Sequence, residues 1–256
     1  METRYQETVI SDLRHVVEEQ EILIAKLKYT NSEEINFTCP VVEEAIPVEG
    51  DLQSKSARIV AVKREDNSGS LGDVFVEVKE GKGRVLVNTN PFVEADTQHS
   101  AKIAVGVAEN YTGKSLLAQD VIITFDMNDT VLLGGPSAGA AITAVTIAAI
   151  EGREIRDDVV VTGTIEPSGW VGTVGGILEK AQTASDQGMS LLLVPHGELQ
   201  IKYYERVIKK ERFGFFTIER VRYEPRIVDL NEYLEDQDME VKEVFTIEDV
   251  VGYMLK

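Results

Sequence analysis

The sequence predicts an α+β domain with mixed, part-parallel sheets and an N-terminal helical extension. Three observations lead there. Strand-like runs with turn residues between them fill residues 57–87, strands and helices alternate after residue 100, and an alanine-rich helical run with small residues on every face occupies 137–150. The chain is expected to divide into residues 1–55, a helix and linker, and residues 56–256, the main domain. Apolar residues at Val9, Leu13, Val16, Leu23 and Leu27, with Gln20 in the gap, form a heptad seam over about three heptads. The seam fits a coiled coil and equally an amphipathic helix packed on its own domain, with Val17 and Ile24 widening the stripe. Residues 30–50, carrying Pro40 and Pro47, read as a linker.

Strands are expected from Ala57, over Val74 to Lys79 and over Arg84 to Val87, with turns at Asn67-Ser68-Gly69-Ser70 and Gly81-Lys82-Gly83. A helical pattern from Ser100 ends at Gly113, and Val121 to Phe125 is an apolar strand. Helix is expected from Ser137 to Ile150, then strand from Val159 to Thr162 and a hairpin-like turn at Glu166-Pro167-Ser168-Gly169. A helix bearing Lys180 should close at Gly188, followed by a buried strand from Leu191 to Val194. Beyond Gly197 the expectation is an added charged helix, a strand-rich piece and a short helix from Ile247, with 197–244 read as a charged insertion.

Composition narrows the function classes. A net charge of −18 argues against a nucleic-acid partner, because phosphate-backbone binding begins with a basic footprint. The single cysteine, Cys39, excludes an intrachain disulfide framework and a cysteine-based metal cluster. His15, His99 and His196 show no metal-ligand spacing, so neither metal nor other cofactor is expected. The first residues lack the cationic start and apolar run of a signal peptide, and the longest apolar segment, Ala138 to Ile150, is too short to span a bilayer; a cytoplasmic location is the expectation.

Two glycine-flanked motifs carry the chemistry. Gly134-Gly135-Pro136-Ser137-Ala138-Gly139 places a serine where the backbone turns sharply and a helix begins. The unpaired amides and positive dipole end of that helix suit an oxyanion, worth roughly 2.7–4 kcal/mol per donor. Pro136 has no N–H, so Ser137 itself and a glycine, Gly134 or Gly135, would have to donate. Gly175-Gly176-Ile177-Leu178-Glu179-Lys180 places a lysine one turn into another helix, beside apolar neighbours. To accept a proton near neutrality that lysine must fall about three units from its usual pKa of about 10.4, a desolvation cost of roughly 4 kcal/mol. Alone, Ser137 reads as a helix cap and Lys180 as a snorkelling surface residue; together, in this order, they read as nucleophile and base. Thr162 ends the strand between them and is placed to orient the amine. Chain order also permits a Ser-His-Asp arrangement using His99 or His196.

Residues 108–115, AENYTGKS, imitate a phosphate-binding loop, and Val121 to Asp126 imitate its acidic strand. A phosphate loop opens a helix, whereas this run closes one, so Gly113 is read as a helix cap and no ATP binding is expected.

At these residues the sequence resembles the proteolytic domain of the Lon family of Ser-Lys peptidases. The resemblance rests on GGPSAGAA around Ser137, VTGTI around Thr162, GGILEKAQTA around Lys180 and LLLVP at Leu191, and extends from about Ser56 to Val194 with an echo at Thr246 to Val250. It implies the α+β fold of that domain (the ribosomal protein S5 domain 2-like type), with Ser137 as nucleophile, Lys180 as base and Thr162 as the lysine's partner. It also implies homo-oligomers, usually rings of six, and cleavage of unfolded or damaged proteins. Lon proteases normally carry an ATPase module and none fits before Ser56, so the implied enzyme is a stand-alone, ATP-independent peptidase, with a separate unfoldase as its possible partner. The family often has an acidic residue where Gly134 stands, and histidines where Ile122-Ile123-Thr124-Phe125 stands. The same fold also serves as a non-catalytic assembly module in RadA repair ATPases, which gives the rival expectation of a scaffold.

Overall fold

A computed structural model describes residues 54–63, 68–88, 90–127, 132–213 and 216–256. The heptad seam, the linker and Cys39 lie outside the described residues. In chain order the elements are β1 (Ser54–Val62), β2 (Gly69–Glu80), β3 (Val85–Val87), β4 (Phe92–Val93), α1 (Ala95–Thr112), β5 (Gln119–Met127), β6 (Leu132–Leu133) and α2 (Gly139–Glu151). There follow β7 (Val159–Val161), β8 (Thr164–Ile165), β9 (Val171–Gly172), α3 (Ile177–Asp186), β10 (Leu191–Pro195), β11 (Gln200–Phe213), β12 (Phe216–Asp229), α4 (Leu230–Tyr233), β13 (Glu240–Val244) and α5 (Ile247–Met254).

Two sheets organise these elements. The first runs β1-β2-β5-β3, antiparallel except for the parallel β3–β5 pair. The second runs β13-β10-β7 and is parallel throughout, so the expected mixture of pairings is present. In the parallel sheet side chains alternate faces. Val159, Val161, Leu191 and Leu193 enter one hydrophobic core with α1, α2 and the first sheet. Val160, Leu192 and Val194 enter a second core with Ile177, Ala181 and Ala184 of α3 and with Leu230 and Leu234. Burial on both faces explains why these strands are unbroken apolar runs rather than alternating ones.

Helix α2 is buried from Gly139 to Ile150 on every side, which its small residues allow. Thr143 and Thr146 lose no hydrogen bonds there, because their hydroxyls donate to the carbonyls of Gly139 and Ile142 at 2.8 and 2.7 Å. The Gly139 position cannot carry a side chain: a Cβ would lie 2.7 Å from Ser100 Oγ and 2.8 Å from Ile165 Cγ2.

Four expectations need correction. Helix α1 begins at Ala95 and not at Ser100. Strand β2 already begins at Gly69, inside the expected turn. Helix α2 begins at Gly139, two residues after Ser137, because Pro136 and the turn it enforces delay the first helical bond until Ile142 N–H donates to Ala138 C=O. Among the described residues no charged helix follows Gly197. Residues 200–229 form an antiparallel hairpin instead, in register from Gln200↔Asp229 to Phe213↔Phe216, and the one nearby helix is the four-residue α4. Period-two placement of Val221, Tyr223 and Ile227 and the helix-breaking Pro225 favour strand there, against the high charge that suggested helix. The expected hairpin turn after β8 is present, with Gly169 N–H donating to Glu166 C=O at 2.9 Å. The helix expected at Ile247 starts there, with a capping box between Thr246 and Asp249.

Ile147, fully buried in α2, tests how tightly this helix is packed. Ile147→Ala should cost about 2–5 kcal/mol of stability, read as a lowered urea midpoint with an unchanged m-value; a loss under 1 kcal/mol, on the order of an exposed site, would contradict the packing described.

Candidate active site

The strand alternation of the parallel sheet delivers Thr162. Its amide donates to Leu193 C=O at 3.0 Å, which continues the β7–β10 pairing one residue past β7. Thr162 thus shares the parity of Val160 and points to the second core, where α3 packs. On α3 the buried residues are Ile177, Lys180, Ala181 and Ala184, a single stripe at helical spacing. The lysine therefore lies on the buried face, 3% exposed, and its Nζ donates to Thr162 Oγ1 at 3.0 Å. Gly176, at φ +67°, starts the helix, and Lys180 N–H closes the first turn on Gly176 C=O.

Burial lowers the Lys180 pKa to about 8, against the opposing pull of the Glu198 and Glu179 carboxylates. Glu198, in the turn after β10, is itself pushed up by burial; the Val174 amide and Lys180 draw it back down, and Glu243 adds to the rise. The turn carrying Glu198 is fixed by Glu243 of β13, whose carboxylate accepts from the amides of Gly197 (2.9 Å) and Leu199 (3.3 Å) and meets His196 Nδ1 at 2.9 Å. His196 also stacks on Phe245 with ring centroids 4.1 Å apart. His196 is thereby committed to Glu243 and Phe245, while His99 is exposed on α1.

Ser137 is half-buried in the turn ahead of α2. Its carbonyl accepts from Gly163 N–H at 2.9 Å, and Gly163 C=O accepts from Ala140 N–H at 3.1 Å. The serine turn is thus paired to the residue that follows Thr162. No hydrogen bond joins Ser137 to Lys180. A Cβ at Gly163 would lie 2.4 Å from Val171 Cγ1, so a side chain there would have to push Val171 aside. From the other side, buried Thr97 and Ser100 of α1 donate to the carbonyls of Gly135 and Pro136 at 2.9 and 3.2 Å. Gly135 adopts φ +90°, and Gly134 is exposed beside it.

The delayed start of α2 changes the expected anion site. Gly139 N–H is taken by Pro136 C=O and Ala140 N–H by Gly163 C=O, so these helix amides are occupied. The amides of Gly135, Ser137 and Ala138 make no hydrogen bond to another described residue. Among the described residues no three His, Cys, Asp or Glu side chains are grouped as a metal would require. Sequence reasoning missed Thr97, Ser100 and Glu198. The first two had a faint signal, polar residues three apart on the stripe that continues through Ala101 and Ala104; Glu198 had none.

A buried lysine with a lowered pKa costs stability. At pH 7 both folded and unfolded chains hold the Lys180 proton, and the folded chain carries the desolvation penalty. Between the folded value of about 8 and the unfolded value near 10.5 the unfolded chain binds more protons, so stability rises with pH. Lys180→Met should therefore unfold at higher urea than the parent chain at pH 7, by about 1–3 kcal/mol, and the gain should shrink as pH rises from about 8 towards 10.5; a variant less stable at pH 7 would refute the buried-charge account.

Comparison with known proteins was consistent with these motifs. Residues 64–221 match the model for the Lon protease (S16) C-terminal proteolytic domain. The chain is 33% identical to the Lon protease of Helicobacter pylori over 167 residues, 62% of this chain and 19% of that protein. It is 30% identical to the Lon protease of Dictyoglomus thermophilum over 155 residues (57% and 19%), and 28% identical to that of Mycoplasma genitalium over 147 residues (56% and 18%). The chain thus spans about a fifth of the length of the curated relatives it matches. The family model covers more than half of the residues, including Ser137, Thr162 and Lys180, and the chain belongs to the Lon protease family through its C-terminal proteolytic domain.

Proposed function

We propose that this chain is a serine endopeptidase that hydrolyses peptide bonds in unfolded or damaged proteins with a Ser137–Lys180 dyad. The observation that carries the reading is the buried Lys180–Thr162 pair at 3.0 Å, one residue from the backbone bond that holds the Ser137 turn. A non-catalytic scaffold has no use for a lysine whose burial destabilises the fold.

In the proposed reaction substrate binding closes the Ser137–Lys180 hydrogen bond, which the free chain lacks; such bonds often tighten only in the complex. Neutral Lys180 takes the hydroxyl proton, Ser137 Oγ attacks the peptide carbonyl, and amides of Gly135, Ser137 and Ala138 receive the oxyanion. The lysine ammonium, oriented by Thr162, then gives its proton to the leaving amine, and water hydrolyses the acyl-enzyme by the same steps. The role of the adjacent Gly134 is to leave the backbone bare where the substrate approaches.

Hydrolysis is proposed to need no ATP. The phosphate-loop imitation ends α1, with Gly113 capping it at φ +64°, and β5 begins six residues later, so no helix opens behind it. No helix among the described residues is long and apolar enough to cross a membrane. We place the chain in the cytoplasm, as a homo-oligomer, a ring of six in the family manner, served by a separate unfoldase.

Ser137→Ala and Lys180→Ala should each reduce cleavage of an unstructured protein such as casein by at least 10³-fold, on the order of losing a member of a catalytic unit, with far-UV circular dichroism unchanged. Undiminished cleavage in either would remove the dyad. Only the neutral amine accepts a proton, so kcat/KM should rise with pH through about 8; a rising limb near pH 6 would point to a histidine instead. Thr162→Val should lower kcat more than it raises KM and should displace that limb.

A further inference from the structure

We propose that the β11–β12 hairpin is an assembly arm whose apolar face docks on the acidic shoulder around α4 of a second copy of this chain. Strand register places Ile208 opposite Val221, and alternation puts Val221, Tyr223, Pro225 and Ile227 on the same face. That face is open: Ile208 is 46% exposed, Tyr223 66% and Ile227 72%. A two-stranded ribbon with an uncovered apolar face is marginal in water, and such a face marks an interaction surface.

Charge selects the occupant. Residues 200–229 carry eight Lys and Arg against five Asp and Glu, net +3 in a chain of net −18. From Asp229 to Val241 there are six acidic residues and no basic one. Glu232, Glu235, Asp236 and Asp238 are exposed around Tyr233 and form no ion pair among the described residues. Buried Leu230 and Leu234 anchor this shoulder to the second core, and Leu230 N–H donates to Leu199 C=O at 3.0 Å beside the hairpin base. On the apolar face the register sets Lys202 opposite Ile227 and Arg206 opposite Tyr223, so the arm offers apolar anchors with cations beside them, and the shoulder offers an aromatic with anions at the rim. The outer part of the face cannot reach its own shoulder: Tyr223 and Val221 stand six and eight residues along β12 from Asp229, about 20 Å or more at strand rise. Arm and shoulder are different surfaces, so the contact is head-to-tail and closes only as a ring.

The inference deepens the proposed self-association and is independent of the dyad. Sedimentation velocity of the full chain should show oligomers that dissociate as salt is raised. Val221→Ser/Tyr223→Ser/Ile227→Ser and, separately, Glu232→Lys/Glu235→Lys/Asp236→Lys should each weaken association at least about tenfold, with circular dichroism and Tm preserved because the substituted side chains are exposed. Mixing the two variants should give dimers and nothing larger, since one intact arm meets one intact shoulder. If both variants assemble like the parent chain, the arm is refuted while self-association stands. A parent chain that is monomeric at low salt refutes both and leaves the face to another partner, and a mixture that stays monomeric refutes the head-to-tail contact.

Discussion

An ammonium group is costly to remove from water, and Lys180 is held at 3% exposure on a helix stripe otherwise made of Ile177, Ala181 and Ala184. The single hydroxyl of Thr162 receives it, with the carboxylate of Glu198 farther off pulling against the desolvation. That arrangement holds only if α3 turns Ile177, Ala181 and Ala184 into the second core with Thr162 at the right parity, and both depend on the packing of Val60, Val160, Leu192 and Val194 there. Loosening that core would let water reach the amine, restore its ordinary basicity and leave it charged at neutral pH.

The serine side is governed by packing rather than charge. Helix α2 is buried all round, so its N-terminal turn can be placed accurately only if its neighbours come very close. Glycines at 139 and 163 allow that approach, and the hydroxyls of Thr97 and Ser100 fasten the carbonyls of the preceding turn. Gly163 links the two sides, pairing with the serine turn while following the threonine that holds the lysine. The two motifs, far apart in sequence, are joined through the end of one strand.

Behind the site, the carboxyl ends of β7, β10 and β13 gather the remaining polar groups, which is where parallel sheets expose chain turns to a cleft. Glu243 spends its carboxylate on two amides and on His196, so the turn that presents Glu198, closed within itself by Glu198 N–H on Pro195 C=O with Gly197 at φ +86°, is also tied down by β13. The stacking of His196 on Phe245 adds an apolar backing to the same turn. The third strand therefore shapes the electrostatics of a lysine it never touches.

Local pattern in the sequence determined a good deal: the α+β class, the buried strands at 159–162 and 191–194, the helix ends at Gly113 and Ile247, and the three residues Ser137, Thr162 and Lys180 as candidates. These follow from periodicity, caps and glycine placement, which act over a few residues. Tertiary structure alone decided that Lys180 is buried rather than snorkelling, since that requires Thr162, 18 positions away, to arrive on the facing strand. It also decided that Thr97 and Ser100 hold a turn 38 and 36 positions distant, and that α2 starts after Ser137 with its first amides already occupied. The charged stretch after Gly197 was misread because charge reports solvation and not backbone state; the cross-strand pairing of Ile208 with Val221 is what makes it a hairpin. Short-range propensity fixes which segments fold and how, while the meeting of distant polar groups depends on how the cores between them pack.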